Sequence, residues 1–513
     1  MDKQDKKQYL FPIAIFLIAF LYSSFFLQGI RLFDNDYNQW LTYAMENSLS
    51  NAIWDVFNPV LNDWNVDYRP TQTLIFKALF FLFDYNASGY YYFKSLMLAL
   101  FSTAYFLFLR HYLNNLTVAA FSALFLAMAS STFTSLMWVS DFVIVSEFLA
   151  LLVYTIFLNL ETRETSSRKL LFTSLVIMII LTVICDRTKA NGKLIPGILF
   201  LYLVLFDWRK LKRYWIAISL MVFAVVPWKV LVSNPAPFFL RDDSGTVRDY
   251  AWQLASFYKF LELFGGDFEP FSLLYSAHPP ISVLAIIGFP LLFASIIAMF
   301  FLVYRRAINL KHKTVRFLAV WGAVNAAALM SYPSLPSHFQ ARYAISTLIP
   351  LVPLLLIMIF RASIITWGGR RIPEIIIAAL IIISICFHGY HTFMARNIFP
   401  PTMIASDTLR EYVANNFRNT WFYYINSSVW AFRPTNDGNQ FFSYQNEKAS
   451  SVASRLPPNT DFYVISSRPL ETSSLKLHMS FPGKSESLFD RIFNNGSAPF
   501  YKTTFYLYKI ESD

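Results

Sequence analysis

The chain is poor in charge and in cysteine, and it lacks the motifs of soluble nucleotide-using enzymes. Charged residues make up 15% of its 513 residues, against about 25% in a typical soluble domain. Its two cysteines are too few for a disulfide framework or a cysteine-based zinc site. The sequence has no P-loop, dinucleotide fingerprint or helical zinc motif. These absences exclude an ordinary soluble enzyme, and they argue against ATP-driven transport and against use of a cytoplasmic nucleotide sugar.

Long apolar segments are what the sequence contains instead. Hydrophobic residues make up 56% of the chain and aromatic residues 18%. Apolar runs recur from Tyr9 to His388, which predicts an α-helical polytopic membrane protein with about 11 transmembrane helices. The net charge of +11 lies in short loops between these runs, which is typical of membrane topology and not of a nucleic-acid-binding face. We therefore expect membrane lipids, and no nucleic acid, as partners.

The apolar runs predict where the chain crosses the membrane. No small-residue cleavage site follows the first run, so we interpret it as a retained helix and not as a signal peptide. The predicted spans are residues 10–28, 90–109, 117–135, 141–160, 169–185, 193–206, 214–232, 281–303, 315–331, 342–360 and 373–388.

One further apolar segment, residues 71–83, is too short to cross a hydrocarbon core of about 30 Å comfortably. If it does not span, the basic residues concentrate in the loops on the N-terminal side of the membrane. If it did span, the bias would reverse. We therefore predict that 71–83 lies along the outer interface as an amphipathic helix, with the N-terminus cytoplasmic and the C-terminal segment outside.

The loop lengths predict two domains. Residues 1–390 form the transmembrane domain, which carries a first outer loop at 30–70 and a second long outer loop at 233–280. Residues 391–513 are more polar and long enough for a small extracytoplasmic α/β domain. In this domain Ser406 and Asp407 can cap a helix that runs to Phe417. Strands are predicted in the segments TWFYYINSS, TDFYVISS and FYKTTFYLYKI.

The first outer loop carries Asp34 and Asp36 directly after the first predicted span. Acids interleaved with aromatic residues suit sugar binding, because carboxylates accept hydrogen bonds from hydroxyls and rings stack on the apolar faces of sugars. Two acids at spacing i, i+2 can supply a general base and a supporting acceptor. A solvated interfacial loop with an aromatic belt fits the same residues.

A second candidate lies in the segment CDRTKANGKLIP, which begins at Cys185. Arg187, Lys189 and Lys193 are on the predicted outer side and break the positive-inside pattern there. Misplaced basic residues at a membrane surface suggest an anionic ligand such as a phosphate. Binding to lipid headgroups, or snorkelling of the long side chains, is the alternative.

Further polar residues lie where predicted spans meet the outer surface. His338 and Arg342 precede a late span. Asp141 opens a helix from outside, and Glu147 lies about two turns deeper, where an ionisable residue is a functional hypothesis by default. These two acids orient the basic residues or bind sugar hydroxyls, or they are simply ion-pair partners for Arg187 or Lys189.

Together these features resemble the GT-C superfamily of integral-membrane glycosyltransferases, which take sugar from a polyprenyl-phosphate carrier. Protein O-mannosyltransferases, aminoarabinose transferases and bacterial O-antigen-modifying glucosyltransferases are members. The resemblance covers about residues 1–360 and rests on a series of motifs in chain order. These are the acidic pair Asp34 and Asp36, the Tyr-Arg-Pro turn at Tyr68, Arg69 and Pro70, the span start at Asn86, Gly89 and Tyr90, the break at Thr188 and Lys189, and the pair Arg342 and Tyr343.

The resemblance implies a GT-C-like fold and a role for each matching residue. The catalytic base is then Asp36, with Asp34 as the alternative, because the family's two adjacent acids are separated here by Asn35. Lys94 and Leu98 replace an asparagine and a histidine that family members often have. The residues implied in donor binding are Arg69, Asp141, Arg187, Lys189, His338 and Arg342.

The implied activity is inverting transfer of a hexose-type sugar from a polyprenyl-phosphate lipid to an acceptor glycan, lipid or protein on the outer face of a bacterial inner membrane. No cofactor is required by this chemistry and no metal ligands are predicted, although Asp34 and Asp36 could hold a divalent metal. An O-antigen ligase or polymerase with a diphosphate-linked donor, a transporter of lipid-linked or anionic substrates, and a non-enzymatic glycan-binding scaffold remain alternatives.

Overall fold

The protein is described by a computed structural model in which helices make up the first part of the chain and strands the last. The residues that the structure describes are 3–28, 48–58, 69–83, 86–137, 141–162, 167–225, 312–330, 345–362, 408–409, 411–413, 415–425, 439–443, 462–466, 469–470, 475–482 and 504–510.

Twelve α-helices occur within these residues. Short 3₁₀ turns at Ala190–Lys193 and Trp208–Lys210 flank the ninth of them. In chain order the helices are α1 Lys3–Leu27, α2 Leu49–Phe57, α3 Pro70–Phe83, α4 Ala87–Leu113, α5 Leu116–Met128, α6 Ser130–Met137, α7 Val143–Thr162, α8 Arg168–Thr188, α9 Leu194–Phe206, α10 Leu211–Val225, α11 Lys313–Met330 and α12 Ile345–Ala362.

Four of the described helices are long and apolar enough to cross a membrane, which makes the chain an integral membrane protein. They are Leu10–Leu27 within α1, Ser88–Leu113 within α4, and the whole of α7 and α8. About half of α4 and α7 is buried inside the protein, whereas most of the Leu10–Leu27 segment is not. The exposed apolar side chains of α1 are therefore placed to contact lipid.

Most predicted spans coincide with a helix, but residues 117–135 do not form a single one. Ala129 has ψ 140°, which ends α5, and α6 begins at Ser130. The cause is local, since the Ser and Thr residues that follow favour helix ends over helix interiors. The predicted spans at 281–303 and 373–388 lie outside the described residues, so the total of about 11 stays a prediction.

The segment predicted as an interfacial helix is helical over α3, whose 14 residues measure about 21 Å. One face packs against the protein, while the side chain of Phe81 is 88% exposed and that of Leu82 is 65% exposed. A short helix whose exposed C-terminal end is apolar fits a membrane boundary. Its placement there stays a prediction. The buried residues of α3 are Pro70, Gln72, Thr73, Phe76 and Leu79.

The helices pack through a cluster of buried aromatic side chains. Tyr154 and Phe157 of α7 contact α11, where Trp321 lies 4.7 Å from Tyr154 between ring centroids. Tyr202 of α9 lies 5.7 Å from Phe157 and 5.6 Å from Phe317, in edge-to-face geometry. Such ring pairs add to the free energy of burial. They fix α7, α9 and α11 against each other, and these helices support the site described below.

The C-terminal part contains a five-stranded mixed sheet in the order β2-β1-β3-β5-β4. β1 runs parallel to β2 and β3, and β5 runs antiparallel to β3 and β4. Residues 408–416 are helical wherever the structure describes them, and Leu409 and Val413 pack on the sheet beside Phe422 and Tyr463. The strands are β1 Trp421–Ile425, β2 Gln440–Ser443, β3 Phe462–Ser466, β4 Leu475–Pro482 and β5 Thr504–Ile510.

β1, β3 and β5 lie in the three segments that the sequence predicted as strands. β2 and β4 were missed. The proposed helix cap at residues 406–407 and the domain boundary at residue 390 fall outside the described residues, so the two-domain division stays a prediction.

Candidate functional site

The residues predicted from the sequence divide into two groups. Asp34, Asp36, His338 and Arg342 lie outside the described residues. The other four, Arg69, Asp141, Arg187 and Lys189, are described, and all lie around the C-terminal end of α8.

The core of this region is the tight turn between α8 and α9. Lys189 is extended, and its backbone N–H donates to the Cys185 carbonyl at 2.9 Å. The 3₁₀ turn Ala190–Lys193 then leads directly into α9. A Cβ atom added to Gly192 would lie 2.3 Å from the backbone nitrogen of Asp186. Only glycine fits there, and the turn therefore packs backbone to backbone on the end of α8. We call the segment Lys189–Lys193 the basic turn.

The first lysine of the basic turn is paired with the start of α7. Lys189 Nζ lies 3.0 Å from Asp141 Oδ1, and the Asp141 side chain is almost fully buried. The same carboxylate oxygen accepts the Val143 N–H at 3.2 Å, which stabilises the first turn of α7. The interpretation of Asp141 as an ion-pair partner for Lys189 is therefore confirmed.

The second lysine shares a buried carboxylate with Arg187. Asp186 Oδ1 lies 3.9 Å from Lys193 Nζ, and Asp186 Oδ2 lies 3.6 Å from Arg187 Nη1. Asp186 Oδ1 accepts no hydrogen bond from any residue that the structure describes. Both contacts are longer than a good charge-assisted hydrogen bond.

Arg187 turns away from the basic turn and towards the first outer loop predicted from the sequence. Its Nη2 donates to the Asn58 carbonyl at 3.1 Å and its Nε to the Val56 carbonyl at 3.4 Å. These carbonyls belong to the C-terminal end of α2, where a cation also interacts favourably with the helix dipole. Arg187 therefore anchors α2, the described part of the loop that contains Asp34 and Asp36.

The charge balance of this region favours an anion. Among the described residues, four basic side chains are grouped with three buried acids, Asp141, Asp186 and Glu147, which leaves a formal excess of one positive charge. Arg69 belongs to the group because it interacts electrostatically with Asp186 and Lys193. The side chains of Lys189 and Lys193 are 13% and 18% exposed, so a ligand can reach them. Buried excess charge is costly unless a counter-ion compensates it.

Glu147 lies behind the basic turn and takes part in a network of hydrogen bonds that the sequence did not predict. Its Oε1 accepts from Asn191 Nδ2 at 2.9 Å and from Ser346 Oγ. Asn191 Nδ2 also donates to Ser346 Oγ at 2.7 Å, and Asn325 Nδ2 donates to the Ser346 carbonyl at 2.9 Å. None of the ion pairs between described residues includes Glu147, so its interpretation as a partner of Arg187 or Lys189 was wrong.

Lys94, which replaces a family asparagine, has a structural role. Its Nζ donates to the Ser135 carbonyl at 2.9 Å and lies 5.5 Å from the centroid of the Phe142 ring. It therefore neutralises the C-terminal carbonyls of α6 in the interior. No local sequence pattern indicates this contact, because Lys94 and Ser135 are 41 positions apart.

Metal binding is not supported by the residues that the structure describes. Among them, no three His, Cys, Asp or Glu side chains are grouped closely enough to hold a metal ion. Asp34 and Asp36, the acids that the sequence analysis considered for a metal, lie outside these residues.

The apolar helices and the basic turn, with its two partly exposed lysines, belong to an integral membrane protein. Its fold is similar to that of the solved protein ArnT, which agrees with the predicted resemblance. The crystal structure of ArnT from Cupriavidus metallidurans bound to undecaprenyl phosphate matches with a TM-score of 0.53, at 13% identity and over 98% of each chain. The apo-state crystal structure of that protein matches with a TM-score of 0.52, at 13% identity, over 99% of this chain and 98% of the other. No family model and no curated protein matches the sequence.

Proposed function

We propose that the protein is an inverting glycosyltransferase that moves a hexose-type sugar from a polyprenyl-phosphate lipid to an acceptor glycan, lipid or protein on the outer face of a bacterial inner membrane. The observation that carries the proposal is the basic turn, whose two lysines are partly exposed and lie among further basic side chains. The undecaprenyl phosphate bound to the similarly folded ArnT supports this donor class.

The phosphate of the donor would bind at Lys189 and Lys193. The sequence also assigns Arg342 and His338 to this site, and Arg69 lies within electrostatic range of it. Negative charge builds up on the phosphate as the bond to the sugar breaks, so fixed cations stabilise the transition state more than the ground state. The leaving group is then the polyprenyl phosphate itself, which needs no general acid.

The base would be Asp36, or Asp34 in its place. It accepts the proton of the acceptor hydroxyl while that oxygen attacks the anomeric carbon. The bond from the anomeric carbon to the phosphate oxygen breaks on the opposite face, which inverts the configuration. Arg187 supports this step through α2, because it anchors the described end of the loop that carries both acids.

The proposal is tested with membranes that contain the full-length protein and radiolabelled polyprenyl-phosphate hexoses. We expect wild type to remove label from the lipid and Asp36→Asn to lose the activity by at least a hundredfold, as removal of a general base does. Asp207→Asn is the matched control. Asp207 is also an acid, but it lies beyond the far end of α9 and pairs with Lys210, so its replacement should leave transfer unchanged.

Two results would change the assignment, the first that of the base and the second that of the donor. Full activity in Asp36→Asn, together with loss in Asp34→Asn, would make Asp34 the base. If no monophosphate-linked hexose is consumed in membranes that contain acceptor, the proposed donor is wrong. Consumption of a diphosphate-linked oligosaccharide would then identify a ligase or polymerase, and passage of a lipid-linked substrate without bond formation would identify a transporter.

A further inference from the structure

Glu147 is a buried carboxylate that the proposed mechanism leaves without a role. It lies in the second turn of α7, and only 3% of its surface is exposed. An ionisable residue at such a position is costly to bury and is a functional hypothesis by default. Its two hydrogen-bond donors come from different parts of the chain. Asn191 belongs to the basic turn, and Ser346 belongs to the first turn of α12.

We propose that Glu147 is a positioning residue, which clamps the basic turn to the start of α12 by accepting hydrogen bonds from both. This inference rests on the proposed function, because it assigns Glu147 a task in donor binding. It does not place Glu147 in contact with the sugar or the phosphate.

We call the contact among Glu147, Asn191 and Ser346 the clamp, and its geometry supports this role. One carboxylate oxygen receives both donors, and the Asn191 amide also donates to the Ser346 hydroxyl. The three side chains therefore form a closed triangle in which every described donor has an acceptor. Asn325 of α11 holds the backbone carbonyl of Ser346 at 2.9 Å, which ties a fourth element to the same point. Fully satisfied buried networks of this kind rigidify their surroundings.

The clamp matters because Asn191 lies between the two lysines of the proposed phosphate site. Besides the packing of Gly192 on α8, the Asn191 side chain and the pair of Lys189 with Asp141 hold the turn in place. Removing the acceptor leaves the buried Ser346 hydroxyl without its acceptor and takes one of two acceptors from the partly buried Asn191 amide, and a buried polar group that loses its partner is costly. The lysines would then lose their fixed position, and small displacements are expensive in a preorganised site. In the sequence, Arg342 shortly precedes α12, so the same contact also fixes the element that follows this candidate phosphate ligand.

The test compares Glu147→Ala and Glu147→Gln in the full-length protein, with Glu161→Ala as the control. Glu161 lies on the same helix and is buried to the same degree, but it pairs with Lys210 near the opposite end. With the polyprenyl-phosphate hexose that wild type consumes, we expect Glu147→Ala to raise KM for the donor at least tenfold while kcat changes less than threefold. Glu147→Gln keeps an acceptor oxygen in place and should restore KM to within threefold of wild type. Glu161→Ala should leave KM unchanged.

A second readout does not depend on the donor. The Cys185 thiol is fully buried, donates to the Ser146 carbonyl at 3.2 Å, and precedes the basic turn by one helical turn. Alkylation of Cys185 by N-ethylmaleimide, measured by peptide mass spectrometry, should be slow in wild type, in Glu147→Gln and in Glu161→Ala. In Glu147→Ala it should be at least fivefold faster, because the loosened turn exposes the end of α8.

Each outcome decides the proposal. Unchanged alkylation in Glu147→Ala overturns the clamp, whether or not donor is consumed. A Glu147→Gln variant that is as impaired as Glu147→Ala also overturns it, because a negative charge and not an acceptor would then be required. Faster alkylation in Glu147→Ala, with no donor consumed by wild type, supports the clamp and contradicts the proposed function instead.

Discussion

At the scale of single residues, the structure separates basic side chains that look equivalent in the sequence. Arg187 and Lys189 are two positions apart in a segment that breaks the positive-inside pattern, and both were assigned to the donor phosphate. Arg187 is engaged with backbone carbonyls of α2, whereas Lys189 pairs with the Asp141 carboxylate and remains partly exposed. Arginine suits the first task because its planar fork can donate to two acceptors at once. Lysine suits the second because it acts as a compact charge.

This difference predicts a specific effect of Lys189→Gln. The change removes the charge but keeps a polar side chain, and we expect KM for the lipid donor to rise at least tenfold, which corresponds to about 1.4 kcal/mol. Lys169→Gln is the control, because Lys169 is an exposed lysine in the first turn of the same helix. Equal KM values in the two variants would show that Lys189 does not bind the donor.

The double variant Asp141→Asn/Lys189→Gln separates the two roles of the Lys189 charge. A buried carboxylate that loses its cation destabilises the fold, and Asp141→Asn relieves that cost. Thermal stability in detergent should therefore recover in the double variant, while the donor KM should stay high. Recovery of both would mean that Lys189 acts only through Asp141.

At the scale of elements, the basic turn depends on one glycine. Gly192→Ala would place a methyl group against the backbone of Asp186, so α8 and the turn must separate. We expect a loss of about 1–3 kcal/mol in stability, as for other overpacked sites, together with an increased donor KM. Melting in detergent and donor kinetics measure the two effects.

Gly197→Ala is the matched control for this prediction. A Cβ atom at Gly197 meets nothing within 4 Å, and the residue lies in α9, where alanine is the better helix former by about 0.5–1 kcal/mol. This variant should be as stable as wild type or slightly more stable. A Gly192→Ala protein with the same melting temperature and KM would contradict the close packing of the turn.

The elements themselves were predictable where the chain repeats a simple pattern. Long apolar runs gave the positions of α4, α7 and α8, because a membrane core requires continuous apolar helices. β4 was missed but could also have been predicted, because apolar residues alternate with polar ones from Leu475 to Phe481. β2 has only four residues and shows no such alternation, so its position is decided by pairing with β1.

At the scale of the whole molecule, the fold is similar to that of the ArnT structures over nearly the full length of the chain, despite 13% identity. The orientation in the membrane is predicted from the basic loops. Single cysteines introduced by Lys3→Cys or Asp513→Cys, in a background with Cys185 and Cys386 replaced by serine, test it with a membrane-impermeant maleimide on spheroplasts.

We expect Asp513→Cys to be labelled in intact spheroplasts and Lys3→Cys only after permeabilisation, because the positive-inside rule places the N-terminus in the cytoplasm. Labelling of both cysteines only after permeabilisation would put residues 71–83 across the membrane, because a twelfth span brings both termini to the cytoplasmic side. It would also place the basic turn on the cytoplasmic side and contradict a donor site on the outer face.

The sequence by itself determined the membrane class, most of the described helices and three strands, and it singled out the segment in which we propose a phosphate site. These follow from hydrophobicity, charge and local propensity, which depend on residues that are close together in the sequence. Only the tertiary structure decided that Asp141 neutralises Lys189, that Arg187 anchors α2, and that Glu147 joins Asn191 to Ser346. Glu147 and Ser346 are almost two hundred positions apart, and no local pattern encodes such a contact. It arises because a buried polar group must find its partner wherever the packing of the helices brings one.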